Sequence, residues 1–251
     1  MIEIRNLIKS FGDKTVLDDI SFQFEKGKNN LVIGASGSGK TTMTKCIVGL
    51  QQPNSGVVKY DGQSFWDMTR KQKAELRQSI GFLFQGGALF DSMTVEENVK
   101  FALRVFSNKT NKEMANRVDF CLERVNLHGV KSLYPDELSG GMKKRVGIAR
   151  AISMKPKYLF CDEPNSGLDP QTAILIDQLI SEITYEYNIT TMVITHDMNS
   201  VLEIGDNIMF LHQGKKFWNG SKTDILNTEN KELTDFIYAS NFMKAIRDKA
   251  K

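Results

Sequence analysis

Apolar and polar residues alternate along two stretches near the start of the chain, residues 2–5 and 20–24. Alternation with a period of two is typical of strands that bury one face, so both stretches are predicted to form a short antiparallel β patch. Between them, residues 10–14 (Ser-Phe-Gly-Asp-Lys) have the composition of a turn-rich loop. This loop is predicted to carry the aromatic side chain of Phe11.

The run Leu-Val-Ile at 31–33 is apolar without alternation, which is typical of a strand buried on both faces of a parallel sheet. The run stops at Gly34. After Lys40, apolar residues recur at helical spacing, and a helix is predicted that ends before Pro53. Its apolar face comprises Met43, Cys46, Ile47 and Leu50. The predicted order is therefore strand, glycine-rich loop, helix.

Strands and helices continue after this point. A strand and hairpin are predicted at 57–62, a polar helix around 69–79, and an apolar strand at 80–84 that ends at Gln85. Residues 92–128 are helical in pattern. One apolar face contains Val95, Val99, Leu103 and Phe106, and another contains Val118, Cys121, Leu122 and Val125.

A helix is predicted over 139–153, and two buried strands follow at 158–161 and 191–195. The helix between these strands has an apolar face of Ile174, Ile176, Leu179, Ile180 and Ile183. Strands that alternate with helices predict an α/β fold built on a parallel sheet.

No internal repeat or Pro/Ser-rich linker interrupts the chain, so the helical stretch is predicted to be an arm of the same domain. We expect one domain over 1–220, with a helical insert at about 86–155, followed by a helical tail over 221–251. The tail has a basic end at 244–251 and an apolar face of Leu233, Phe236, Ile237 and Tyr238. That face is expected either to dock on its own domain or to contact a second copy or an accessory protein.

Composition excludes several classes of protein. The chain of 251 residues is long enough to bury a core without disulfides, and its net charge of +3 gives no indication of a nucleic-acid-binding surface. Its 3 cysteines are far apart and odd in number, which favours a reducing compartment. No apolar run approaches the ~20 residues that span a bilayer, and the N-terminus lacks a signal-peptide core. We therefore expect a chain that neither crosses a membrane nor is exported.

Residues 34–41 (Gly-Ala-Ser-Gly-Ser-Gly-Lys-Thr) match the P-loop pattern G-x-x-x-x-G-K-[ST] between a buried strand and a helix. Glycines let the main-chain N–H groups wrap a triphosphate, and the helix N-terminus adds its positive dipole end. Lys40 is expected to reach the β- and γ-phosphates, and Thr41 to coordinate Mg²⁺. The nucleotide-binding residues predicted here are Gly34, Ser36, Gly37, Ser38, Gly39, Lys40, Thr41 and Thr42.

A second apolar strand ends in two carboxylates, Asp162 and Glu163. An acidic pair at a strand end is usually a solvated turn, but together with a P-loop it is typical of Mg²⁺-dependent phosphoryl chemistry. Asp162 is expected to bind Mg²⁺, and Glu163 to polarise or orient the attacking water.

About 120 residues separate Lys40 from Asp162, far more than the loops of roughly 2–6 residues that join elements of a compact P-loop fold. The inserted stretch ends at 138–151 in Leu-Ser-Gly-Gly-Met-Lys-Lys-Arg-Val-Gly-Ile-Ala-Arg-Ala. This segment resembles the signature sequence of ATP-binding-cassette (ABC) ATPases, at its usual place between the two Walker motifs. Serine and glycines at a helix start offer a hydroxyl, N–H groups and a dipole to an anion, so 139–141 is predicted to be a second phosphate site.

The resemblance covers about residues 1–220 and implies a P-loop NTPase core with a mainly parallel sheet, an N-terminal antiparallel β subdomain and an inserted α-helical subdomain. It implies that Phe11 stacks on adenine, that Gln85 is the Q-loop glutamine and a Mg²⁺ ligand, and that His196 is the switch histidine. Taken singly, Phe11 would more often be a buried loop aromatic, Gln85 a polar strand end and His196 a structural histidine. Their order and spacing favour the functional interpretation. The remaining positions implied by the resemblance are the signature residues Ser139, Gly140 and Gly141, the Walker B pair Asp162 and Glu163, and the D-loop residue Asp169.

Glu163, His196 and Gln85 are thus the catalytic residues that the resemblance implies, with ATP and Mg²⁺ as cofactors and Thr41, Gln85 and Asp162 as metal ligands. The family places two subunits head to tail, which implies a homodimer in which Ser139 and Gly141 contact nucleotide bound to the partner's P-loop. ATP would favour the closed dimer, and hydrolysis would remove the bridging γ-phosphate.

The segments 86–99 (Gly-Gly-Ala-Leu-Phe-Asp-Ser-Met-Thr-Val-Glu-Glu-Asn-Val) and 135–142 (Pro-Asp-Glu-Leu-Ser-Gly-Gly-Met) resemble ATPases of Mla/Mce-type phospholipid transport systems. The second segment ends in Met142, where most family members have Gln. The resemblance implies that a membrane permease docks near residues 86–90, where an apolar Ala-Leu-Phe suits a helix in a groove. It also implies a position on the cytoplasmic face of a bacterial inner membrane.

Alternatives remain at this point. An importer ATPase for a polar solute such as an amino acid would carry the same catalytic motifs. A non-transport ABC protein acting in translation or DNA maintenance would usually have two cassettes or a long coiled coil. A nucleotide-dependent scaffold without hydrolysis would not need the complete catalytic set.

Overall fold

The computed structural model describes residues 1–238, and the chain divides into two compact units. The first comprises Met1–Glu25, Asn30–Asp67 and the chain from Thr195 onward, and the second comprises Lys26–Asn29 and Met68–Ile194. The basic segment 244–251 predicted for the tail lies outside the described residues. Within residues 1–238, no helix combines the length and the apolar character needed to cross a membrane.

The first unit contains an antiparallel sheet with the strand order β2-β1-β4-β5. Its strands are β1 (Ile2–Phe11), β2 (Lys14–Phe24), β4 (Ser55–Tyr60) and β5 (Gln63–Ser64). Ile2 pairs with Phe24 on one side and Tyr60 on the other, and all three side chains are buried. The predicted antiparallel patch is confirmed, and it extends further along the chain than the alternating stretches indicated.

Phe11 does not lie in a loop, contrary to the sequence prediction. It is the last residue of β1 and pairs with Lys14, so only Gly12 and Asp13 make the turn. Gly12 has a φ of 56°, a left-handed conformation that a glycine adopts without steric cost.

The same unit contains a second set of strands, in which β3 (Asn29–Ile33) is parallel to β9 (Asn207–His212) and β10 (Lys215–Gly220) is antiparallel to β9. β3 is fully buried, as its unbroken apolar run predicts. Its helices are α1 (Lys40–Ile47), α7 (Met198–Ile204), α8 (Lys222–Leu226) and α9 (Lys231–Ile237).

α1 is shorter than predicted, and Leu50 is not part of its buried face. Leu50 is 72% exposed, because Gly49 follows the helix with a φ of 75° and turns the chain away. In the tail, Leu233 and Ile237 of α9 are buried, and the Phe236 ring lies 5.3 Å from the Phe210 ring. The described part of the tail therefore docks on its own unit.

The second unit contains three parallel strands in the order β8-β7-β6, namely β6 (Ile80–Leu83), β7 (Tyr158–Asp162) and β8 (Thr190–Thr195). Its helices are α2 (Arg70–Gln78), α3 (Val95–Phe106), α4 (Asn111–Arg124), α5 (Gly140–Ile152) and α6 (Pro170–Glu186), with a short 3₁₀ turn at Pro135–Glu137. Every helix and strand predicted in this region is present.

Side-chain caps explain where the helices of this unit begin. Thr94 caps α3 and Thr110 caps α4, each in a capping box with the glutamate three residues later. Two predictions about buried faces are wrong, since Phe106 is 53% exposed and Ile174 is 45% exposed. Phe106 is the last residue of α3, and Ile174 lies on the outer side of α6.

Candidate nucleotide site

The phosphate loop lies in the first unit, between β3 and α1. A Cβ on Gly34 would lie 2.1 Å from the Leu211 main-chain oxygen, and one on Gly39, whose φ is 108°, would lie 2.9 Å from the Val16 oxygen. Both positions therefore exclude a side chain. Gly37 has a φ of 79° but would meet nothing within 4 Å, so this part of the loop faces open space. The loop leaves its main chain accessible on the side where an anion would bind.

Lys40 begins α1, and only 8% of its surface is exposed. Its ammonium donates to the main-chain oxygens of Gly34 at 2.7 Å and Ala35 at 2.9 Å. The ammonium of Lys40 is thus hydrogen-bonded to the loop itself. A phosphate oxygen can replace these carbonyl oxygens as its partner.

Two further observations show that this loop fits a phosphate group. The hydroxyl of Ser38 is buried and finds no hydrogen-bond partner within the described part of the chain. α1 has no side-chain cap at Gly39, so no side chain satisfies the N–H groups of its first turn. An anion at the N-terminus of α1 would satisfy such groups, and Thr41 is exposed next to them.

Phe11 and His196 lie in the same unit as the phosphate loop. Phe11 is exposed, and the Lys9 ammonium lies 5.0 Å from the centre of its ring. His196 is exposed at the end of β8, directly before Asp197, which caps α7. The N–H of Asp197 donates to the Thr195 hydroxyl at 3.0 Å, which fixes the turn that carries His196.

Gln85 and Glu163 are brought together in the second unit. β7 is buried up to Cys161, and Asp162 and Glu163 follow at its end. The Gln85 amide donates to the Ser166 hydroxyl at 3.2 Å, and the Ser166 N–H donates to the Glu163 oxygen at 3.2 Å. Gln85 is therefore connected to the main chain of Glu163 through Ser166.

The signature residues and the D-loop form a second cluster in the same unit. Ser139 caps α5 and accepts the Met142 N–H at 3.3 Å. A Cβ on Gly141 would lie 2.7 Å from Cγ2 of Thr172, so glycine allows α5 to approach α6 closely. A cavity of about 300 Å³ lies between them. It is lined by Ser139, Gly140, Gly141, Met142, Arg145, Gly167, Leu168, Asp169 and Thr172.

Asp169 is held in place by Thr172. The Thr172 hydroxyl donates to the Asp169 carboxylate at 2.6 Å and its N–H donates at 3.0 Å. These bonds lower the pKa of Asp169, so the D-loop carboxylate is charged at neutral pH and caps α6.

The segment after Gln85 exposes Ala88 and Phe90. Buried Asn98 holds this segment by accepting the Phe90 N–H and donating to three main-chain oxygens, those of Phe90, Met93 and Thr94. The Phe90 ring lies 4.9 Å from that of Phe101, which lines a groove of about 940 Å³ on the helical part of the unit.

Sequence reasoning missed Lys144, Arg150 and Thr172. Lys144 donates to the main-chain oxygens of Gln85 and Glu163, and burial lowers its pKa although the nearby carboxylates of Glu163 and Asp162 oppose this shift. A signal was present in the sequence. Lys144 shares a face of α5 with Gly147, Ile148 and Ala151 at helical spacing, and a lysine on such an apolar face needs a partner.

Comparisons with known proteins agree with this geometry. Residues 17–166 match the family model described as "ABC transporter". The chain is 37% identical to a methionine import ATP-binding protein, MetN, of Campylobacter jejuni, over 97% of this chain and 77% of that protein. It is 35% identical to an intermembrane phospholipid transport system ATP-binding protein, MlaF, of Haemophilus influenzae, over 94% and 90% respectively.

Solved structures with the same fold include ATP-binding cassettes. The cassette MJ0796, in a dimeric post-hydrolysis state bound to ADP and Pi, is 30% identical with a TM-score of 0.79, over 88% of this chain and 99% of that one. The protein cbiO1 of Clostridium perfringens, part of the ABC transporter complex cbiONQ, is 29% identical with a TM-score of 0.85, over 98% of each chain.

Proposed function

This chain belongs to the ABC transporter family as an ATP-binding subunit, and from that premise we propose that it powers phospholipid transport in a bacterial envelope. The family hydrolyses ATP with Mg²⁺, and the chain is accordingly an ATPase. The observation that carries the cargo proposal is the likeness of residues 86–99 and 135–142 to phospholipid transport ATPases, together with the MlaF relative.

Nucleotide binding follows from the chemistry of the phosphate loop. Lys40 exchanges the carbonyls of Gly34 and Ala35 for the β- and γ-phosphates, while the N–H groups at the start of α1 receive phosphate oxygens. Ser36, Gly37, Ser38 and Thr42 complete the loop around the phosphates. Phe11, exposed at the end of β1, offers its ring to the adenine.

Hydrolysis is assigned to Glu163, Gln85 and His196. Glu163 accepts a proton from, or orients, the attacking water, Gln85 positions that water, and His196 contacts the γ-phosphate. Bound Mg²⁺ neutralises the charge that develops on the phosphate oxygens, and Thr41, Asp162 and Gln85 would hold it. The cluster of Gln85, Ser166 and Glu163 supports this division of roles because it fixes the two residues relative to each other.

The active form is a homodimer in which each nucleotide is shared. Ser139, Gly140, Gly141 and Asp169 line a cavity next to the N-terminus of α5, and we assign it to the nucleotide held by the partner subunit's phosphate loop. Dimeric cassettes among the solved structures support this arrangement.

A permease is proposed to dock at residues 86–90, on the cytoplasmic face of the inner membrane. Ala88 and Phe90 are exposed there, and Asn98 holds the segment in a fixed conformation. An apolar helix end of a membrane subunit fits such a surface. An accessory cytoplasmic subunit is the further partner expected.

Methionine import is the second candidate, and the MetN relatives favour it. The two functions share every catalytic residue, so the cargo must be tested on the assembled transporter. The complex isolated from membranes should contain extractable phospholipid, and added phospholipid should raise its ATPase rate. Stimulation by methionine and not by phospholipid would contradict the lipid proposal and leave the ATPase assignment intact.

A further inference from the structure

The side chain of Lys144 is buried in the middle of α5, with only 5% of its surface exposed. A lysine at such a position needs hydrogen-bond acceptors, because an ammonium without them is strongly disfavoured away from water. The ammonium donates to the main-chain oxygen of Gln85 and, at 3.2 Å, to that of Glu163. One cation thus connects the signature helix to both residues assigned to hydrolysis in the second unit.

The bond from Lys144 helps to maintain an unusual backbone conformation at Glu163. Its φ of 48° is left-handed, which is uncommon for a residue with a side chain and is kept only where the surroundings enforce it. Three hydrogen bonds do so. The Glu163 N–H donates to Ile194 at 2.9 Å, while its carbonyl accepts from Ser166 and from Lys144. Of the three donors and acceptors named here, Lys144 is the one that bonds through its side chain.

Gln85 is restrained by the same helix. Its main-chain oxygen accepts from Lys144, and its side chain donates to Ser166 of the segment that Glu163 begins. Two turns further along α5, the Arg150 guanidinium donates to the oxygens of Gly87 at 2.7 Å and Ala88 at 2.6 Å. Lys144 and Arg150 therefore hold both ends of residues 85–88.

Gly147 allows α5 to pack closely against the end of β6. Gly147 lies between Lys144 and Arg150 on the same face of α5, and a Cβ there would be 2.7 Å from Cδ1 of Leu83. The spacing of these three residues places one helix face against the end of β6 and the segment that follows it.

We propose that Lys144 is a positioning residue for ATP hydrolysis, which holds Glu163 and Gln85 in register with each other through their main-chain carbonyls. This role rests on the proposed catalytic functions of Glu163 and Gln85. Lys144 acts on the reaction through these two residues. Its loss should therefore change the rate of hydrolysis without changing the affinity for nucleotide.

The test compares Lys144→Met with Lys157→Met in the full-length chain assembled in its membrane complex. Methionine keeps the length of the side chain but removes its charge and its donors. Lys157 is exposed in the same unit, and its side chain makes no hydrogen bond within the described residues, so its variant is the matched control. ATPase kinetics, the Kd for ATP and the unfolding midpoint are measured for each.

We expect Lys144→Met to lower kcat by about 10- to 100-fold, as displacement of catalytic groups does, with KM and Kd for ATP unchanged. Lys144→Arg keeps the charge and two or more donors, so it should lose less than about threefold. Hydrogen exchange should quicken at 85–88 and 163–166 in Lys144→Met. The control variant should match the wild type.

A folded Lys144→Met variant with wild-type kcat would overturn the proposal. So would an equal loss of kcat and ATP affinity, since that result indicates a binding role. If Lys144→Met does not fold, Lys144→Gln, which is neutral but polar and too short to reach both carbonyls, must show the same loss of kcat. Absence of hydrolysis by the wild-type complex would overturn the ATPase function itself, which separates that failure from the failure of Lys144.

Discussion

At the scale of single residues, the phosphate loop and the Walker B end illustrate two different uses of left-handed backbone. Gly39 has a φ of 108°, and the Leu17 side chain and the Val16 main chain fill the space where a Cβ would lie, so the position requires glycine. Glu163 has a φ of 48° although it carries a side chain, the one to which we assign the activation of water. The first is a steric requirement, and the second is a strained conformation maintained by its hydrogen bonds.

Replacing Glu163 with glutamine tests its chemical role. Glu163→Gln keeps the size of the side chain and removes its capacity to accept a proton, so kcat should fall by about 10²- to 10⁴-fold. ATP affinity should persist because the phosphate loop is unchanged. Steady-state ATPase assays and equilibrium ATP binding measure the two quantities. Unimpaired turnover would remove Glu163 from the catalytic role.

The three cysteines are buried, and this has a consequence at alkaline pH. Burial raises the pKa of Cys121 from 9.0 to about 11, and it raises the pKa values of Cys46 and Cys161 as well. Below the ordinary pKa of a cysteine, the thiols are protonated in both the folded and the unfolded chain, and they contribute nothing to the pH dependence of stability. Between the ordinary value and about 11, the unfolded chain has lost protons that the folded chain keeps. The free energy of unfolding must then fall as pH rises.

Urea unfolding at pH 8 and in the alkaline window measures this effect. Cys121→Ala removes one of the three thiols, so its stability should fall less steeply with pH than that of the wild type. Other groups titrate in the same window in both proteins, and their contribution cancels in the comparison. Identical slopes for the two proteins would show that Cys121 is not protected by burial.

At the scale of elements, periodicity located the helices and strands but not their ends. The predicted run of α1 continued to Leu50 because a leucine at helical spacing extends an apolar face, whereas Gly49 had already ended the helix in the structure. Ile174 matched the spacing of the buried face of α6 only approximately. A repeat of 3.6 residues leaves the edges of an apolar face undefined, and packing decides them.

The residues of the candidate site likewise fall into those that the sequence predicted and those that only the structure shows. The P-loop, the signature and the acidic pair were predictable because their chemistry requires particular residue types in order. The roles of Lys144 and Thr172 were missed because no motif marks them. Lys144 acts through main-chain oxygens that are 59 and 19 residues away in the sequence, and Thr172 packs against Gly141 as well as holding Asp169. The boundaries of the domain, of the helical insert and of the tail remain predictions.

The N-terminal cap of α4 offers a test at this scale. Thr110 accepts the Glu113 N–H, and Glu113 accepts from the N–H and hydroxyl of Thr110, which lowers the pKa of Glu113. Thr110→Ala should reduce the free energy of unfolding by about 1 kcal/mol, the usual cost of losing such a cap.

Denaturant unfolding of Thr110→Ala measures the loss, and Ser132→Ala is the control because its exposed hydroxyl makes no hydrogen bond in the described chain. The ionised Glu113 carboxylate contributes to the free energy of unfolding at pH values above its ordinary pKa. This contribution disappears as pH falls through the lowered pKa of Glu113 in the folded chain. The gap between Thr110→Ala and the wild type should therefore narrow in acid. A constant gap would exclude a contribution from the bond between the Thr110 hydroxyl and the Glu113 carboxylate.

At the scale of the whole molecule, the proposed function requires more than one chain. Lys40 and the phosphate loop provide one set of phosphate contacts, and the N-terminus of α5 with the D-loop provides another. Two copies placed head to tail can complete two sites, each from the phosphate loop of one copy and the signature of the other. ATP then stabilises the closed dimer for as long as its γ-phosphate is present.

Mixing two inactive variants tests this sharing most directly. Lys40→Ala removes the phosphate-loop cation, and Ser139→Arg blocks the signature, so each variant alone should be inactive. In a mixed dimer both defects fall in one site and the other site is intact. Equal, freely exchanging mixtures, with exchange verified by two affinity tags, should recover roughly a quarter of the wild-type ATPase activity, since half of the dimers carry one good site of two. Mixed dimers that form and remain inactive would contradict a site built from two subunits.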